Sequence, residues 1–153
     1  MLIAESLDLT PSVRNCLRIA GYLHDVGKFC IPEKVLDKPG ALDENESHLV
    51  RRHSGDGAEF AVLLGADELS AACIRQHHDR FDAPRGRVET IEVLGGQVIH
   101  AADALVAMTS DRPYQPARRM SEALTELRRE RGRQFAPRVV DAAMTCFALT
   151  VAG

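Results

Sequence analysis

The chain has 153 residues, of which 45% are apolar and 27% charged, and this composition predicts one compact domain over residues 1–153. A net charge of −3 argues against a nucleic acid polymer as partner, because such binding needs a clustered positive face. No signal-peptide core and no membrane-spanning run is evident, and no Cys-x-x-Cys spacing occurs. These features predict a cytoplasmic protein with buried free thiols and without a membrane partner. The cysteines are Cys16, Cys30, Cys73 and Cys146.

Helical periodicity recurs along the chain without strand alternation, which predicts an all-α bundle of about six to seven helices. The first well-marked helix is predicted to begin with Thr10 as N-cap and Pro11 in the first turn. It is expected to run to about Asp25 or Val26 and to end at Gly27.

The end of this first helix carries two candidate ligands. Val13, Leu17 and Ala20 form an apolar stripe that includes His24, whereas Asp25 lies about 100° away. His24 alone would suit a core histidine that donates to one carbonyl. An aspartate at the negative end of a helix dipole is electrostatically unfavourable unless a cation compensates for its charge, and this favours a bound metal ion.

Two further helices lead to histidines. Asp43 begins a capping box whose helix is predicted to carry His53 at its C-terminal end, with Ser54 able to cap the next segment through Leu64. Asp67 is the predicted N-cap of a helix that ends at His77 and His78. Several helix ends that meet around one cavity would make a preformed metal site.

A long helix from about Thr90 to Met108 is predicted to form the centre of the core. Asp103 lies just past the rim of its apolar face, where a solvated aspartate is the alternative. Because Asp103 is flanked by alanines and Leu105, pairing or metal binding is favoured. His100 could share the edge of the same cavity.

Imidazole and carboxylate are ligands that hold Mn, Fe or Zn and leave positions for water and phosphate oxygens, so these residues predict a metal pair and hydrolysis. The candidate ligands are His24, Asp25, His53, His77, His78 and Asp103.

Further motifs accompany the candidate ligands. They are Leu-His-Asp-Val-Gly-Lys at 23–28, Ile-Pro at 31–32, Leu-Asp-Lys-Pro-Gly at 36–40, and Ala-Asp at 102–103 leading to Met-Thr-Ser-Asp-Arg-Pro-Tyr at 108–114. In order and spacing the chain resembles an HD-GYP domain, a branch of the HD superfamily of metal-dependent phosphohydrolases, from Ala4 to Ala143. The resemblance implies an HD-domain helical bundle.

The resemblance also implies roles for individual residues. The six candidates would be ligands of a divalent metal pair, with iron or manganese expected and Asp25 bridging the ions. Lys28 would approach the scissile phosphate and Arg112 would bind a substrate phosphate, so both would be substrate-binding residues. Asp25 and Lys28 would be the catalytic residues. The alternatives are a helix counter-charge for Lys28 and an ion pair with Asp111 for Arg112. The implied reaction opens cyclic di-GMP to pGpG or GMP through a hydroxide that two metals activate.

The chain departs from the HD-GYP pattern in three places. Residues 77–87 lack Gly-Tyr-Pro, although their arginines could attract phosphate or form a solvated basic loop. Gln115 replaces a basic residue that helps to hold phosphate in similar domains. An upstream histidine ligand would precede Met1, which predicts a truncated domain, a piece of a longer protein, or a site completed by water, His100 or another chain.

Two classes of function therefore stay open. The favoured hypothesis is a phosphodiesterase acting on a cyclic dinucleotide, with another phosphate ester as a further substrate class. The alternative is a weak or inactive HD-GYP-like signalling adaptor that binds a nucleotide or a protein partner. If the first helix is missing, the uncovered core surface would favour a homodimer.

Overall fold

The computed structural model of the chain describes residues 2–83, 89–111 and 116–151. Within these ranges the regular secondary structure is helical, and seven of the α-helices have eight residues or more. The predicted all-α bundle is confirmed. The α-helices are α1 (Leu2–Glu5), α2 (Pro11–Leu23), α3 (Glu33–Leu36), α4 (Glu44–Arg51), α5 (His53–Leu63), α6 (Glu68–Gln76), α7 (Ile91–Thr109), α8 (Met120–Arg129) and α9 (Pro137–Val151), with a 3-10 helix at Val26–Cys30.

The helix starts follow local capping chemistry. The side chains of Thr10, Asp67 and Thr90 each accept a hydrogen bond from the backbone N–H three residues later. Asp43 and Glu46 form the reciprocal bonds of a capping box. The predicted starts of α2, α4, α6 and α7 are therefore confirmed. The prediction for His53 is wrong: α4 ends at Arg51, and His53 is the first residue of α5, which has no side-chain cap, so Ser54 does not cap it.

The predicted end of α2 is wrong. The helix stops at Leu23, and a short 3-10 helix over Val26–Cys30 follows. Gly27 is buried against α5, where an added Cβ would lie 2.1 Å from the carbonyl oxygen of His53. This glycine therefore permits a close approach of two backbones and is not the helix stop.

Helix α7 lies at the centre of the packing and contacts α1, α2, α6, α8 and α9. Its apolar residues, including Leu94, Val98 and Leu105, are buried in the core. By length and composition alone α7 could cross a membrane, contrary to the expectation that no such run exists, and half of that stretch is buried inside the protein. Its burial in the bundle accounts for its apolar character.

No disulfide joins the four cysteines, all of which lie in the described residues. Cys16 and Cys73 are buried as predicted, and burial raises the pKa of the Cys73 thiol to about 12. The prediction is wrong for Cys30, which is exposed.

Candidate metal centre

Four parts of the chain bring the candidate ligands together. His24 and Asp25 follow α2, His53 is the first residue of α5, and His77 directly follows α6. Asp103 projects from α7. Because these segments pack side by side in the bundle, residues far apart in sequence reach one cluster.

Asp25 lies between two imidazoles. Its Oδ1 is 3.4 Å from Nε2 of His53, and its Oδ2 is 3.5 Å from Nε2 of His24. His53 Nε2 is also 3.2 Å from Nε2 of His78. On the other side, His24 Nε2 is 4.0 Å from Oδ1 of Asp103. The two oxygens of Asp25 thus face two different groups of nitrogen donors.

Two sets of three donors are compact enough to hold a metal ion. One set is His53, His77 and His78, and the other is His24, Asp25 and His77, with all donor atoms of a set within 4.8 Å of one another. His77 belongs to both sets. Asp103 joins neither set and adjoins the second through His24.

Backbone hydrogen bonds orient three of the imidazoles. His24, His53 and His77 each place Nδ1 against the carbonyl oxygen of the residue three positions earlier, at 2.8, 2.5 and 2.6 Å respectively. A carbonyl oxygen only accepts, so each Nδ1 carries the proton and donates it. In the neutral ring Nε2 then has a free lone pair, which is the arrangement typical of a metal-ligating histidine.

The Nε2 atoms of His24 and His77 are buried and have no hydrogen-bond partner within the described residues. A buried polar atom without a partner costs free energy unless something binds it. Burial lowers the pKa of His77 to about 3, so its ring is neutral and keeps its lone pair near pH 7. The orphaned nitrogens and the mixed imidazole and carboxylate donors fit a divalent metal ion.

The charged side of the cluster is held by ion pairs. Burial alone would raise the pKa of Asp25, but hydrogen bonds from the protonated form of His53 and from Lys28 outweigh it and hold this pKa well below its usual range. The bond to Asp25 in turn raises the pKa of His53. Lys28 Nζ lies 2.6 Å from Asp25 Oδ2. Lys28 is therefore beside the cluster, where it neutralises the carboxylate of Asp25.

Several other predicted residues do not join the cluster. Arg112 and Gln115 lie outside the described residues, as do Arg85 and Arg87. Arg80 is described, and its guanidinium forms two bonds to the carboxylate of Asp82, at 2.9 and 3.0 Å. That ion pair favours the solvated-loop interpretation of Arg80.

His100 does not lie in either donor set. Its ring centroid is 6.2 Å from that of His78, and its ring packs edge-on against Phe135 at 5.0 Å. Its Nε2 lies 3.1 Å from the side-chain nitrogen of Gln134. The ring is thus held by the segment before α9, and the expectation that His100 could share the edge of the ligand cavity stays a prediction.

A groove of about 250 Å³ between α2 and α7 adjoins the cluster. His24 and Asp103 line its inner end, and Arg18 and Tyr22 lie along its α2 side. Tyr22 is 82% exposed, so its ring is available to a ligand. Sequence reasoning missed this groove, and the available signal was an aromatic residue two positions before His24.

A family model described as the HD domain matches residues 1–139 of the chain. Three relatives are similar over most of it. The cyclic di-GMP phosphodiesterase response regulator RpfG of Xanthomonas campestris is 38% identical over 148 residues, which cover 92% of this chain and 39% of that protein. A cyclic di-GMP phosphodiesterase of Thermotoga maritima is 33% identical, over 92% of this chain and 39% of that protein. The 3'3'-cGAMP-specific phosphodiesterase 1 of Vibrio cholerae is 31% identical, over 84% of this chain and 30% of that protein.

The chain belongs to the HD domain family. The predicted resemblance is confirmed at this level, and the helical bundle is the fold that it implied. The chain spans about two fifths of the length of the first two relatives and less of the third.

Proposed function

We propose that this chain is a metal-dependent phosphodiesterase domain that hydrolyses a cyclic dinucleotide, cyclic di-GMP first among them, to pGpG or GMP. The observation that carries the proposal is the set of three imidazoles whose Nδ1 atoms are tied to the backbone and whose Nε2 atoms lie in one cluster with Asp25. The names of the similar proteins support the substrate class. We place the activity in the cytoplasm, because four cysteines without a disulfide suit a reducing compartment.

The proposed ligands of a divalent metal pair are the six clustered residues, with Asp25 a member of the second donor set whose Oδ1 also faces His53 of the first. Iron and manganese suit a mixture of imidazole and carboxylate ligands. A metal pair at such a site supplies Lewis acidity toward a phosphoryl oxygen and lowers the pKa of water. The ligands are His24, Asp25, His53, His77, His78 and Asp103.

The protein's own residues would bind and orient the phosphodiester. When the charge of Asp25 is satisfied by metal, the Lys28 ammonium is free to turn toward a phosphate oxygen, where it would stabilise the charge that develops during attack. Arg112 is proposed from the resemblance as a second phosphate contact. The groove lined by Arg18 and Tyr22 would hold the adjacent nucleoside, because it opens directly beside His24 and Asp103.

A second candidate function is a signalling adaptor that keeps the scaffold and binds a nucleotide or protein without useful turnover. The observation that favours it is the loss of Gly-Tyr-Pro after His77 and His78. The intact donor cluster opposes it.

The decisive experiment purifies the protein anaerobically with Mn or Fe, counts bound metal by elemental analysis, and follows hydrolysis by chromatography in the same sample. Cyclic di-GMP and 3'3'-cGAMP are tested in parallel, with a simple phosphate monoester as control. Two bound ions with turnover of a cyclic dinucleotide support the proposal. Two bound ions without turnover of any of them favour the adaptor, and a protein that binds no metal overturns the proposal.

A further inference from the structure

A buried glutamine connects two loops across α7. Gln97 is 1% exposed, and its side chain makes two hydrogen bonds to backbone groups of other segments. Its amide nitrogen donates to the carbonyl of Asp79 at 2.6 Å, and its amide oxygen accepts from the N–H of Ala136 at 2.8 Å. Burying a side-chain amide costs free energy unless its nitrogen and its oxygen are both hydrogen-bonded. Because both bonds are present here, glutamine suits this position.

The two connected segments also bond to each other. The N–H of Phe81 donates to the carbonyl of Gln134 at 3.1 Å, and the N–H of Asp82 donates to the carbonyl of Arg133 at 2.8 Å. Gln97 therefore completes a set of bonds that holds residues 79–82 against the segment that leads into α9. The sequence signal was a glutamine within the apolar run of the central helix.

The residue just before this segment is His78, whose orientation is not explained by its own bonds. Among the described residues, His24, His53 and His77 each donate Nδ1–H to a carbonyl three positions earlier, whereas His78 has no such bond. Its hydrogen-bond-length contact is Nε2 to Nε2 of His53, at 3.2 Å. The ring packs against those of His77 and His53, with centroids 4.0 and 5.0 Å away, and the backbone that follows it bonds to α6 through the N–H of Asp79 and the carbonyl of Gln76, at 2.9 Å. The carbonyl of Asp79 is the point at which Gln97 acts on this backbone.

We propose that Gln97 is a positioning residue for His78: by bonding to Asp79 and Ala136, it locks the backbone that presents the His78 imidazole to the cluster. The inference rests on the proposed function in one respect, which is the role of His78 as a metal ligand. The positioning itself is a property of the metal-free protein. Polar groups that orient a metal ligand are worth about tenfold to a hundredfold in metal affinity, and this range is the scale for the effect expected of Gln97.

The test compares Gln97→Met, which keeps the side-chain length and removes both bonds, with Leu94→Ala. Leu94 is a buried residue of the same helix that lines neither the cluster nor the groove, so its truncation controls for lost stability. Gln97→Glu is a milder second variant: it keeps the acceptor for Ala136 and, when ionised, lacks the donor for Asp79. It serves if the methionine variant does not fold.

The first readout is the long-range ¹H–¹⁵N spectrum of the histidine rings in metal-free protein, with the His78 signal assigned by its loss in His78→Gln. The second is Mn(II) affinity by titration calorimetry. We expect the Gln97 variants to shift the His78 signal and to weaken Mn(II) binding about tenfold or more, with Leu94→Ala changing neither.

An unchanged His78 signal and unchanged Mn(II) affinity in both Gln97 variants would overturn the inference. Equal changes in Leu94→Ala would also overturn it, because the effect would then be general loss of stability. If wild-type protein bound no Mn(II), the proposed function would fail, while the spectra of the metal-free protein would still decide whether Gln97 positions His78.

Discussion

The two halves of the cluster are built in different ways. His53 and His77 form its imidazole floor, where the side chains are 2% and 0% exposed. Asp25, Lys28 and Asp103 form its charged rim, with 38%, 41% and 40% of their side chains exposed. The floor is oriented by backbone carbonyls, whereas the rim is held by ion pairs between side chains.

This difference separates the chemistry of the site from its stability. A change in the rim leaves the packing intact, because the side chains there reach solvent, and its main effect falls on metal and phosphate binding. A change in the floor alters buried groups, and its effect appears in the free energy of unfolding and in its pH dependence. Experiments on each half can test whether the division holds.

The largest effect is expected from Asp25→Ala, which removes the carboxylate that lies between the imidazoles of His24 and His53. We expect loss of bound metal and of cyclic di-GMP hydrolysis, measured by elemental analysis and chromatography, with little change in helical content. Asp37→Ala, an exposed aspartate in the turn after α3, is the matched control and retains both properties. A metal-free Asp25→Ala protein that still hydrolyses the substrate would disprove the proposed role.

Gly27→Ala tests the packing that brings the rim against the floor. The new Cβ would lie 2.1 Å from the His53 carbonyl oxygen and 2.6 Å from the Gly57 nitrogen, both of which are backbone atoms. We expect a loss of about 3 kcal/mol in the free energy of unfolding, measured with urea.

Gly55→Ala is the control for this change, because its Cβ would enter open space. It is expected to alter the free energy of unfolding by no more than about 1 kcal/mol. Equal effects of the two substitutions would show that the close approach at Gly27 carries no cost.

Lys28→Ala tests the cation of the rim. We expect the metal content to stay unchanged and kcat to fall about 100-fold, equivalent to about 2.7 kcal/mol of transition-state stabilisation. Lys34→Ala, which removes an exposed lysine of α3, is the control and keeps wild-type turnover. An unchanged kcat in Lys28→Ala would show that Lys28 serves only as a counter-charge for Asp25.

The smallest effect, when counted for a single pH unit, is the pH dependence of stability that the floor causes. Because burial lowers the pKa of His77 from 6.5 to about 3, the folded state binds fewer protons than the unfolded state between these values. The free energy of unfolding of the metal-free protein should therefore fall as pH decreases from 6.5 toward 3. His77 contributes about 1.4 kcal/mol per pH unit within this window.

His77→Gln removes this proton uptake, so its free energy of unfolding should depend less steeply on pH. Urea unfolding in the presence of a chelator, at several pH values within the window, measures the slope. His48→Gln, which changes an exposed histidine of α4, is the control. A slope in His77→Gln equal to that of the wild type would show that His77 is not buried as a neutral ring.

The parts of the fold that sequence reasoning predicted are those with short-range causes. Thr10, Asp43 and Asp67 cap helices through bonds to residues three positions away, so local sequence is enough to identify them. The predicted end of α2 was wrong because a glycine is needed at position 27 for the close approach of the His53 backbone, and His53 is distant in sequence. No local pattern contains that contact.

The candidate site shows the same division. Residue type and order alone picked out all six clustered residues, because imidazole and carboxylate chemistry is a property of each side chain. The hydrogen bonds from Gln97 to Asp79 and Ala136 were not predicted, because they depend on three segments that meet across α7.

By itself, the sequence determined the helical class, the starts of α2, α4, α6 and α7, and the residue types that the cluster contains, all of which follow from chemistry within a few residues. Only the tertiary structure decided that Asp25 lies between His24 and His53 and that a groove opens beside His24. It also decided that the Nε2 atoms of His24 and His77 are buried with no hydrogen-bond partner in the part of the chain that the structure describes. The physical reason is that each of these features depends on the packing of helices that are distant in sequence, and this packing is set by burial of apolar surface over the whole core.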